Sequence, residues 1–157
     1  MTKEKLKSMM PIIIGILLAL LIKTFVAQPI QVQGSSMYPT YQDKQLGFAG
    51  KLFSEDDIKR NDVVVVETLE GKKIIKRIIG LPGEKVEYKN HTLYINGNKI
   101  EDKFENITED YSVTVPKGEY FCLGDNRTNS RDSRNYGTFK LNQIYAKDVL
   151  ILWPIKL

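Results

Sequence analysis

The sequence contains few of the residues from which histidine-based catalytic sites and metal centres are built. Its 157 residues include one histidine, His91, and one cysteine, Cys122. A single cysteine excludes an internal disulfide, and this pair alone cannot form the ligand cluster of a structural zinc ion. We therefore expect no metal and no organic cofactor. If the chain carries a serine nucleophile, a lysine is the favoured general base.

Positive charge is concentrated near the N-terminus. The chain has a formal net charge of +4, and residues 1–27 contribute +3 of it through four lysines and one glutamate. The other 130 residues are therefore close to neutral. The pI of about 9.0 is weak evidence for nucleic-acid binding, and we expect no nucleic-acid partner.

The N-terminal region has the composition of a membrane-spanning helix. Residues 9–22 form a run of 14 without a charged or polar side chain. Continued to Ala27, the segment has 19 residues. A helix of that length measures about 28 Å, close to the ~30 Å hydrocarbon core of a bilayer. A cleaved signal peptide has a similar composition, but Phe25 is bulky where a cleavage site carries a small residue, so we predict an uncleaved anchor.

Lysines on one side of this segment predict its orientation. Lys3, Lys5 and Lys7 precede it, and the positive-inside rule places them in the cytoplasm. The protein is then a single-pass protein of the plasma membrane, with the lipid bilayer as one partner. The expected organisation is a cytoplasmic tail over 1–8, a transmembrane anchor over 9–27 and an extracytoplasmic domain over 28–157.

The remaining sequence predicts a mainly β fold, a compact antiparallel domain behind the anchor. Short β-branched and alternating runs recur without extended helical periodicity. Asn96-Gly97, directly after one run, is a strong hairpin signal. The polar stretch Ser54–Asn61 predicts a loop or a short helical turn. The predicted strands are 28–33, 62–67, 72–79, 86–88, 93–95, 113–115, 120–123 and 146–153.

Lys76 lies within one of the predicted strands. Strand alternation places it on one face with Ile74 and Ile78, among branched aliphatic groups. Burial lowers the pKa of a lysine, and a neutral lysine can accept the proton of a serine hydroxyl. From this segment alone, a solvated basic edge is the better interpretation, since further basic residues flank Lys76. Arg77, on the opposite face, is expected to be structural or solvent-facing.

Ser36 lies in the turn-like sequence Gly34-Ser35-Ser36-Met37-Tyr38-Pro39-Thr40. A serine in such a context is most often a turn residue or a cap. Neither a Gly-x-Ser-x-Gly elbow nor a Ser-x-x-Lys motif is present in the sequence. This segment alone does not identify a nucleophile.

A dense polar loop, residues 124–134, follows the predicted strand 120–123. By itself it is typical of a solvated turn rich in Asn, Asp and Ser. Asp132 and Arg134 could pair and hold the loop in shape. Ser130 or Ser133 could bind a buried lysine amine and orient it.

Together, three segments resemble the conserved boxes of bacterial type I signal peptidases, membrane proteases with a Ser/Lys dyad. One box is weak evidence, whereas three boxes in the family's order, behind an anchor as in its short one-pass members, are highly specific. Together they outweigh the interpretation of each segment alone as a solvated edge or turn. The boxes are Ser36-Met37-x-Pro39-Thr40, Lys76-Arg77-Ile78-Ile79-Gly80-x-Pro82-Gly83 and Gly124-Asp125-Asn126-Arg127-x-x-Ser130-x-Asp132-Ser133-Arg134-x-x-Gly137.

The resemblance implies roles for individual residues. Ser36 is the implied nucleophile, Lys76 the general base and Ser130 the residue that orients the lysine amine, which makes 28–157 the catalytic domain. The resemblance also implies a largely β fold shared with self-cleaving repressors of the SOS type. The residues implied to support the polar loop are Asp125, Arg127, Asp132 and Arg134.

The resemblance further implies the substrates. They are signal peptides of exported preproteins, cut after a small residue in an Ala-x-Ala pattern through an acyl-enzyme. Ile30, Val32, Met37 and Ile75 are candidates to line a shallow apolar groove, to which an extended substrate adds as a strand. The groove is favoured for Val32 and Met37, whereas Ile30 and Ile75 are equally consistent with core packing.

Two positions depart from the family pattern, and other functions stay open. Gly34 stands where some relatives carry a hydroxyl for the oxyanion hole, which leaves the second donor open. Asn61 stands where relatives usually carry Gly, and we expect little effect because Asn tolerates positive φ. One alternative is a non-catalytic, membrane-tethered binding or assembly module with this fold. Another is a self-cleaving regulator, although that class carries a DNA-binding domain in place of a membrane span.

Overall fold

A computed structural model describes residues 3–104 and 109–153, with the backbone alone for residues 3–6. Helix α1 (Lys3–Leu21) continues into a π-helical turn, Ile22–Val26. The stretch Lys7–Val26 is apolar, long enough to cross a bilayer and exposed along its length. The predicted N-terminal helix is therefore present. Residues 1–2 of the predicted tail and residues 154–157 of the predicted domain lie outside the described residues.

The described part of the domain consists mainly of antiparallel strands. They are β1 (Ala27–Gln31), β2 (Leu46–Gly50), β3 (Val63–Glu67), β4 (Lys73–Gly80), β5 (Lys85–Lys89), β6 (Thr92–Ile95), β7 (Asn98–Ile100), β8 (Tyr111–Thr114), β9 (Glu119–Leu123), β10 (Phe139–Lys140) and β11 (Ile144–Trp153). A larger sheet has the order β1-β2-β11-β3-β4-β9-β10, and a smaller one has the order β7-β6-β5-β8. Short helical segments are α2 (Ser133–Tyr136) and 3-10 turns at Glu55–Asp57, Arg127–Asn129 and Leu141–Gln143.

The centre of the larger sheet is buried on both faces. On β3, Val64 and Val66 pack in one hydrophobic cluster with Ile78. Val65 packs in another cluster with Ala49. A strand covered on both faces needs apolar side chains at successive positions, which explains the uninterrupted valine run.

A shared core joins the two sheets. Ile79 and Phe121 of the larger sheet pack in one cluster with Val86 of the smaller sheet. Asn96 and Gly97 connect β6 to β7 with φ angles of 51° and 81°. Two positive φ angles in a two-residue connection match the type I′ turn expected of Asn-Gly.

The mainly β fold predicted from the sequence is confirmed, and each predicted strand is present within two residues of its expected bounds. Three strands, β2, β7 and β10, are not among the predicted ones. The sequence of β2, Leu-Gly-Phe-Ala-Gly, is poor in typical strand formers. A side chain at Gly47 would collide with the Leu150 backbone of β11. Glycine therefore permits the close pairing of β2 with a strand whose register shifts beside it.

Gly80, at the end of β4, provides a test of the shared core. A β-carbon there would lie 2.5 Å from Val86 Cγ2 and 2.9 Å from Val115 Cγ2. We expect Gly80→Ala to lower the free energy of unfolding by about 1–3 kcal/mol, because the packed core must shift. The measurement is urea unfolding in detergent. Gly50→Ala is the control, since its nearest contact would be an ordinary 3.5 Å. Equal stability of the two variants would contradict the close packing.

Candidate active site

Lys76 is buried beside the hydroxyl of Ser36. Lys76 lies on β4 and is 2% exposed. Its strand neighbours Ile74 and Ile78 pack in one hydrophobic cluster, so the lysine lies among aliphatic groups as strand alternation predicts. The Lys76 Nζ donates a 2.7 Å hydrogen bond to the Ser36 Oγ. A hydroxyl and an amine at this distance are in range for direct proton transfer.

The environment of Lys76 favours its neutral form. Burial lowers the pKa of Lys76 from 10.5 to about 8, because the ammonium loses hydration. The Asp132 and Asp125 carboxylates oppose this effect and raise the pKa. Among the described residues, no carboxylate lies within ion-pair distance of the Lys76 amine. A larger fraction of Lys76 is therefore neutral at pH 7 than of an exposed lysine.

The polar loop 124–134 fixes the backbone that carries Ser36. The Asn126 backbone N–H donates to the Ser36 carbonyl oxygen at 3.0 Å. The Asn126 side chain donates to the Ser35 carbonyl oxygen at 3.1 Å, and the Asn129 side chain donates to the Ser35 hydroxyl at 2.9 Å. These bonds leave the Ser36 hydroxyl directed to Lys76.

Arg77 links three segments around this centre. Its guanidinium donates to both carboxylate oxygens of Asp125, at 2.7 and 2.6 Å. It also donates to the Asn61 carbonyl oxygen at 2.8 Å. The Thr40 hydroxyl donates to Asp125 at 2.5 Å. The strand of Lys76, the segment after Ser36 and the polar loop thus meet at one fully buried carboxylate.

Asp132 and Arg134 shape the end of the polar loop. Arg134 Nε donates to Asp132 at 2.8 Å, as the sequence analysis anticipated. Asp132 also accepts from the Gly124 N–H at 3.0 Å and caps α2. Arg134 further donates to the Arg127 carbonyl oxygen at 2.8 Å. The loop is therefore closed on itself rather than solvated.

Arg127 ties the polar loop to the smaller sheet. Its guanidinium is buried and pairs with Asp102, which follows β7. It also donates to the Tyr88 hydroxyl at 2.5 Å and to the Gly124 carbonyl oxygen at 2.9 Å. The smaller sheet thereby supports the loop that holds Ser36.

Ser130 does not make the hydrogen bond to Lys76 that its implied role requires. Its hydroxyl is buried and has no hydrogen-bond partner among the described residues. The hydroxyl lies close to Gly124, where an added β-carbon would be 2.2 Å from the Ser130 Oγ. Ser133 also does not bind the lysine; its hydroxyl accepts from the Cys122 N–H at 2.9 Å.

A groove of about 480 Å³ adjoins Ser36 and Lys76. The four residues expected to line a groove, Ile30, Val32, Met37 and Ile75, all border it. Val32 and Met37 are only 3% and 1% exposed, so they form its floor. The other lining residues are Gln28, Pro29, Gln31, Gln33, Ser36, Val65, Lys72, Lys73, Ile74, Lys76 and Tyr145.

Comparison with known proteins identifies the family. The family model described as "Signal peptidase, peptidase S26" matches residues 5–153. The chain belongs to the signal peptidase family. It is an enzyme of the type I signal peptidase class, a serine endopeptidase.

Individual relatives support this assignment. A signal peptidase I of Bacillus amyloliquefaciens is 43% identical, over 91% of this chain and 82% of the relative. Signal peptidase IB of Staphylococcus aureus is 32% identical, over 98% of this chain and 92% of the relative. The crystal structure of a signal peptidase I from Enterococcus faecalis is similar with a TM-score of 0.54 and 38% identity, covering 58% of this chain and 96% of that one.

Arg77 and Thr40 of this signal peptidase both bind Asp125. Of the two alternatives predicted for Arg77, structural or solvent-facing, the structural one is confirmed, whereas Thr40 was given no role. One signal was available, because alternation along β4 turns Arg77 away from Lys76. Its partner, 48 residues further along the chain, is defined only by the folded structure.

Removing Arg77 tests the buried ion pair. We expect Arg77→Met to lower the free energy of unfolding by about 3–5 kcal/mol, because it leaves the Asp125 carboxylate buried and unpaired. Chemical unfolding in detergent measures this change. The control is Glu70→Gln, which breaks the exposed pair with Lys72 and should cost less than about 1 kcal/mol. A loss below 1 kcal/mol for Arg77→Met would show that Asp125 does not depend on this pairing.

Proposed function

We propose that this signal peptidase removes N-terminal signal peptides from exported preproteins with a Ser36/Lys76 dyad. The observation that carries the proposal is the 2.7 Å hydrogen bond between the Ser36 hydroxyl and the buried Lys76 amine. A lysine in this position is unexpected unless its neutral form is used, because burial of an ammonium without an ion partner is unfavourable.

The proposed reaction proceeds through an acyl-enzyme. Neutral Lys76 takes the Ser36 proton while the Ser36 Oγ attacks the scissile carbonyl carbon. The protonated lysine then gives this proton to the leaving amine as the C–N bond breaks. Lys76 next takes a proton from water, whose oxygen attacks the ester carbonyl carbon. As the C–O bond to Ser36 breaks, Lys76 returns this proton to the Ser36 Oγ. The Ser36 backbone N–H is the proposed oxyanion donor, and Gly34 contributes no side chain to the second donor position.

The groove is the proposed site for the residues before the cut. β1 is an edge strand of the larger sheet, so its free side can pair with an extended peptide. The buried side chains of Val32 and Met37 form an apolar floor where the groove reaches Ser36. This floor is the proposed site for the small side chains of an Ala-x-Ala pattern.

Membrane attachment is proposed to bring the site to its substrates. β1 follows directly after the apolar N-terminal helix. The neighbouring strands β2 and β11 expose large apolar side chains, Leu46, Phe48, Leu150, Leu152 and Trp153. This surface and the anchor support placement of the domain against the bilayer, on the extracytoplasmic side of the plasma membrane. Attachment raises the effective concentration of signal peptides without a new contact.

The dyad is tested by cleavage of a preprotein with an Ala-x-Ala site in lipid or detergent. We expect Ser36→Ala and Lys76→Met each to abolish cutting, because one removes the nucleophile and the other its base. Ser130→Ala should reduce the rate less than either of these two variants does. The reason is that Ser130 is proposed to position Lys76 and not to react itself. Residual cutting by Lys76→Met comparable to the wild type would move the base elsewhere. No cutting of several different preproteins by the wild type would contradict a general signal peptidase and point to a dedicated substrate.

The pH dependence of the rate tests the protonation state of Lys76. Its lowered pKa of about 8 and its role as a neutral base predict that kcat/KM rises with pH and reaches half its maximum near that value. At lower pH the rate should fall about tenfold per pH unit, as the lysine becomes protonated. His91→Gln is the control and should leave this profile unchanged. A profile that His91→Gln shifts or removes would assign the base to the histidine.

A further inference from the structure

Two ammonium groups converge on the ring of Tyr145, a residue that lines the groove beside Ser36. The Lys73 Nζ lies 3.2 Å from the centre of the ring, and the Lys51 Nζ lies 5.0 Å from it. The aromatic face attracts each ammonium, whereas the two like charges repel each other. We call Lys51, Lys73 and Tyr145 the lysine cluster.

Among the residues that the structure describes, no carboxylate pairs with the lysine cluster. Neither Lys51 nor Lys73 lies within ion-pair distance of one, although Glu67 stands opposite Lys73 in the pairing of β3 with β4. The described lining of the groove contains no aspartate or glutamate, and it includes a further exposed lysine, Lys72. The positive charge of the lysine cluster therefore favours a bound anionic group.

The lysine cluster lies at the end of the groove that is next to the anchor. The Tyr145 hydroxyl donates to the side chain of Gln28, near the start of β1, at 3.0 Å. The Lys51 Nζ donates to the carbonyl oxygen of Thr24, in the turn that ends the apolar helix, at 2.6 Å. Ser36 borders the same groove and comes after β1 in the chain. The groove therefore leads from the lysine cluster to Ser36.

The spacing along β4 sets the distance from the lysine cluster to the reacting groups. Lys73 precedes Lys76 by three residues in this strand, which is about 10 Å at ~3.3 Å per residue. An extended peptide has the same rise, so the peptide residue beside Lys73 is about three residues away from the one beside Lys76. Under the proposed function, the residue just before the cut lies beside Lys76. The fourth and fifth residues before the cut then lie beside Lys73.

We propose that the lysine cluster selects signal peptides by the charge of their fourth and fifth residues before the cut. The carboxylate of an aspartate or glutamate there binds Lys73 and Lys51 through charge-assisted hydrogen bonds, and a basic side chain is repelled. A peptide carboxylate fits better than a lipid phosphate, because Lys73 and Tyr145 both border the groove that holds Ser36. The inference rests on the proposed function and adds to it a preference that the Ala-x-Ala pattern does not contain.

Three preproteins test this preference in nonionic detergent at low salt. They share one Ala-x-Ala site, and their fourth and fifth residues before the cut are both glutamine, both glutamate or both lysine. We expect the wild type to cut the glutamate substrate with a kcat/KM about five- to tenfold above that for the lysine substrate, as partly exposed charges allow. Lys73→Gln should lower this ratio by more than half, whereas Lys73→Arg, which keeps the charge, should preserve it. The wild-type ratio should approach one in ~1 M salt, where the Debye length is about 3 Å.

Lys99→Gln is the matched control. Lys99 is exposed on β7 of the smaller sheet and does not line the groove, so this variant should keep the wild-type ratio. Equal cutting of the glutamate and lysine substrates by the wild type would overturn the proposed selection. A ratio that Lys73→Gln leaves unchanged, or that Lys99→Gln lowers as much, would overturn it as well.

Two further outcomes separate this inference from the proposed function and from lipid binding. A wild type that leaves the glutamine substrate uncut would refute the proposed function, and the selection with it. Phosphatidylglycerol vesicles added to the same assay test a lipid phosphate as the bound anion. If Lys73→Gln lowers kcat/KM equally for all three substrates, and only with vesicles present, the lysine cluster binds lipid and the charge selection is refuted.

Discussion

The structure depends on keeping one lysine in an apolar interior with no ion partner among the described residues. Lys76 lies on β4, which has neighbours on both sides in the larger sheet. Its burial is therefore fixed by the sheet and by the cores on either face, rather than by a mobile loop. A surface lysine keeps a pKa near ~10.4 and is almost entirely charged at neutral pH. The proposed chemistry thus requires the hydrophobic core as much as the two reacting groups.

The same requirement explains the polar loop. Carboxylates near Lys76 raise its pKa and so oppose the effect of burial. Asp125 pairs with Arg77 and Asp132 pairs with Arg134, so that each nearby negative charge has a compensating positive one. These pairs let acidic residues organise the loop through hydrogen bonds while limiting their attraction for a proton on Lys76. Dense charge at this site is consistent with a neutral lysine, because the charges are paired among themselves.

The predictable features of this fold are those encoded locally. The valine run of β3 and the Asn96-Gly97 turn follow from strand patterning and turn chemistry. The burial of Lys76 does not, because its own segment favoured a solvated basic edge. β2 was missed because its glycines are explained by the approach of β11, a contact distant in sequence. The orientation of Ser130 was likewise beyond sequence reasoning, since a side-chain rotamer is determined by its packed neighbours. Local patterns could not show that three distant segments meet at one centre. The order of the three motifs along the chain indicated it.

The chain path around Ser36 relates membrane attachment to the geometry of cutting. β1 begins at Ala27, directly after the apolar helix, and the next loop carries Ser36. β1 therefore runs from the membrane end of the domain towards the proposed nucleophile, with the groove along it. A signal peptide that leaves the bilayer beside the anchor travels in the same direction as β1, with its cleavage site following its apolar segment. The distance from the membrane to Ser36 then limits where a substrate can be cut, because only residues at that depth reach Ser36. Under the proposed function, the anchor therefore helps to select the cleavage site as well as to concentrate the substrate.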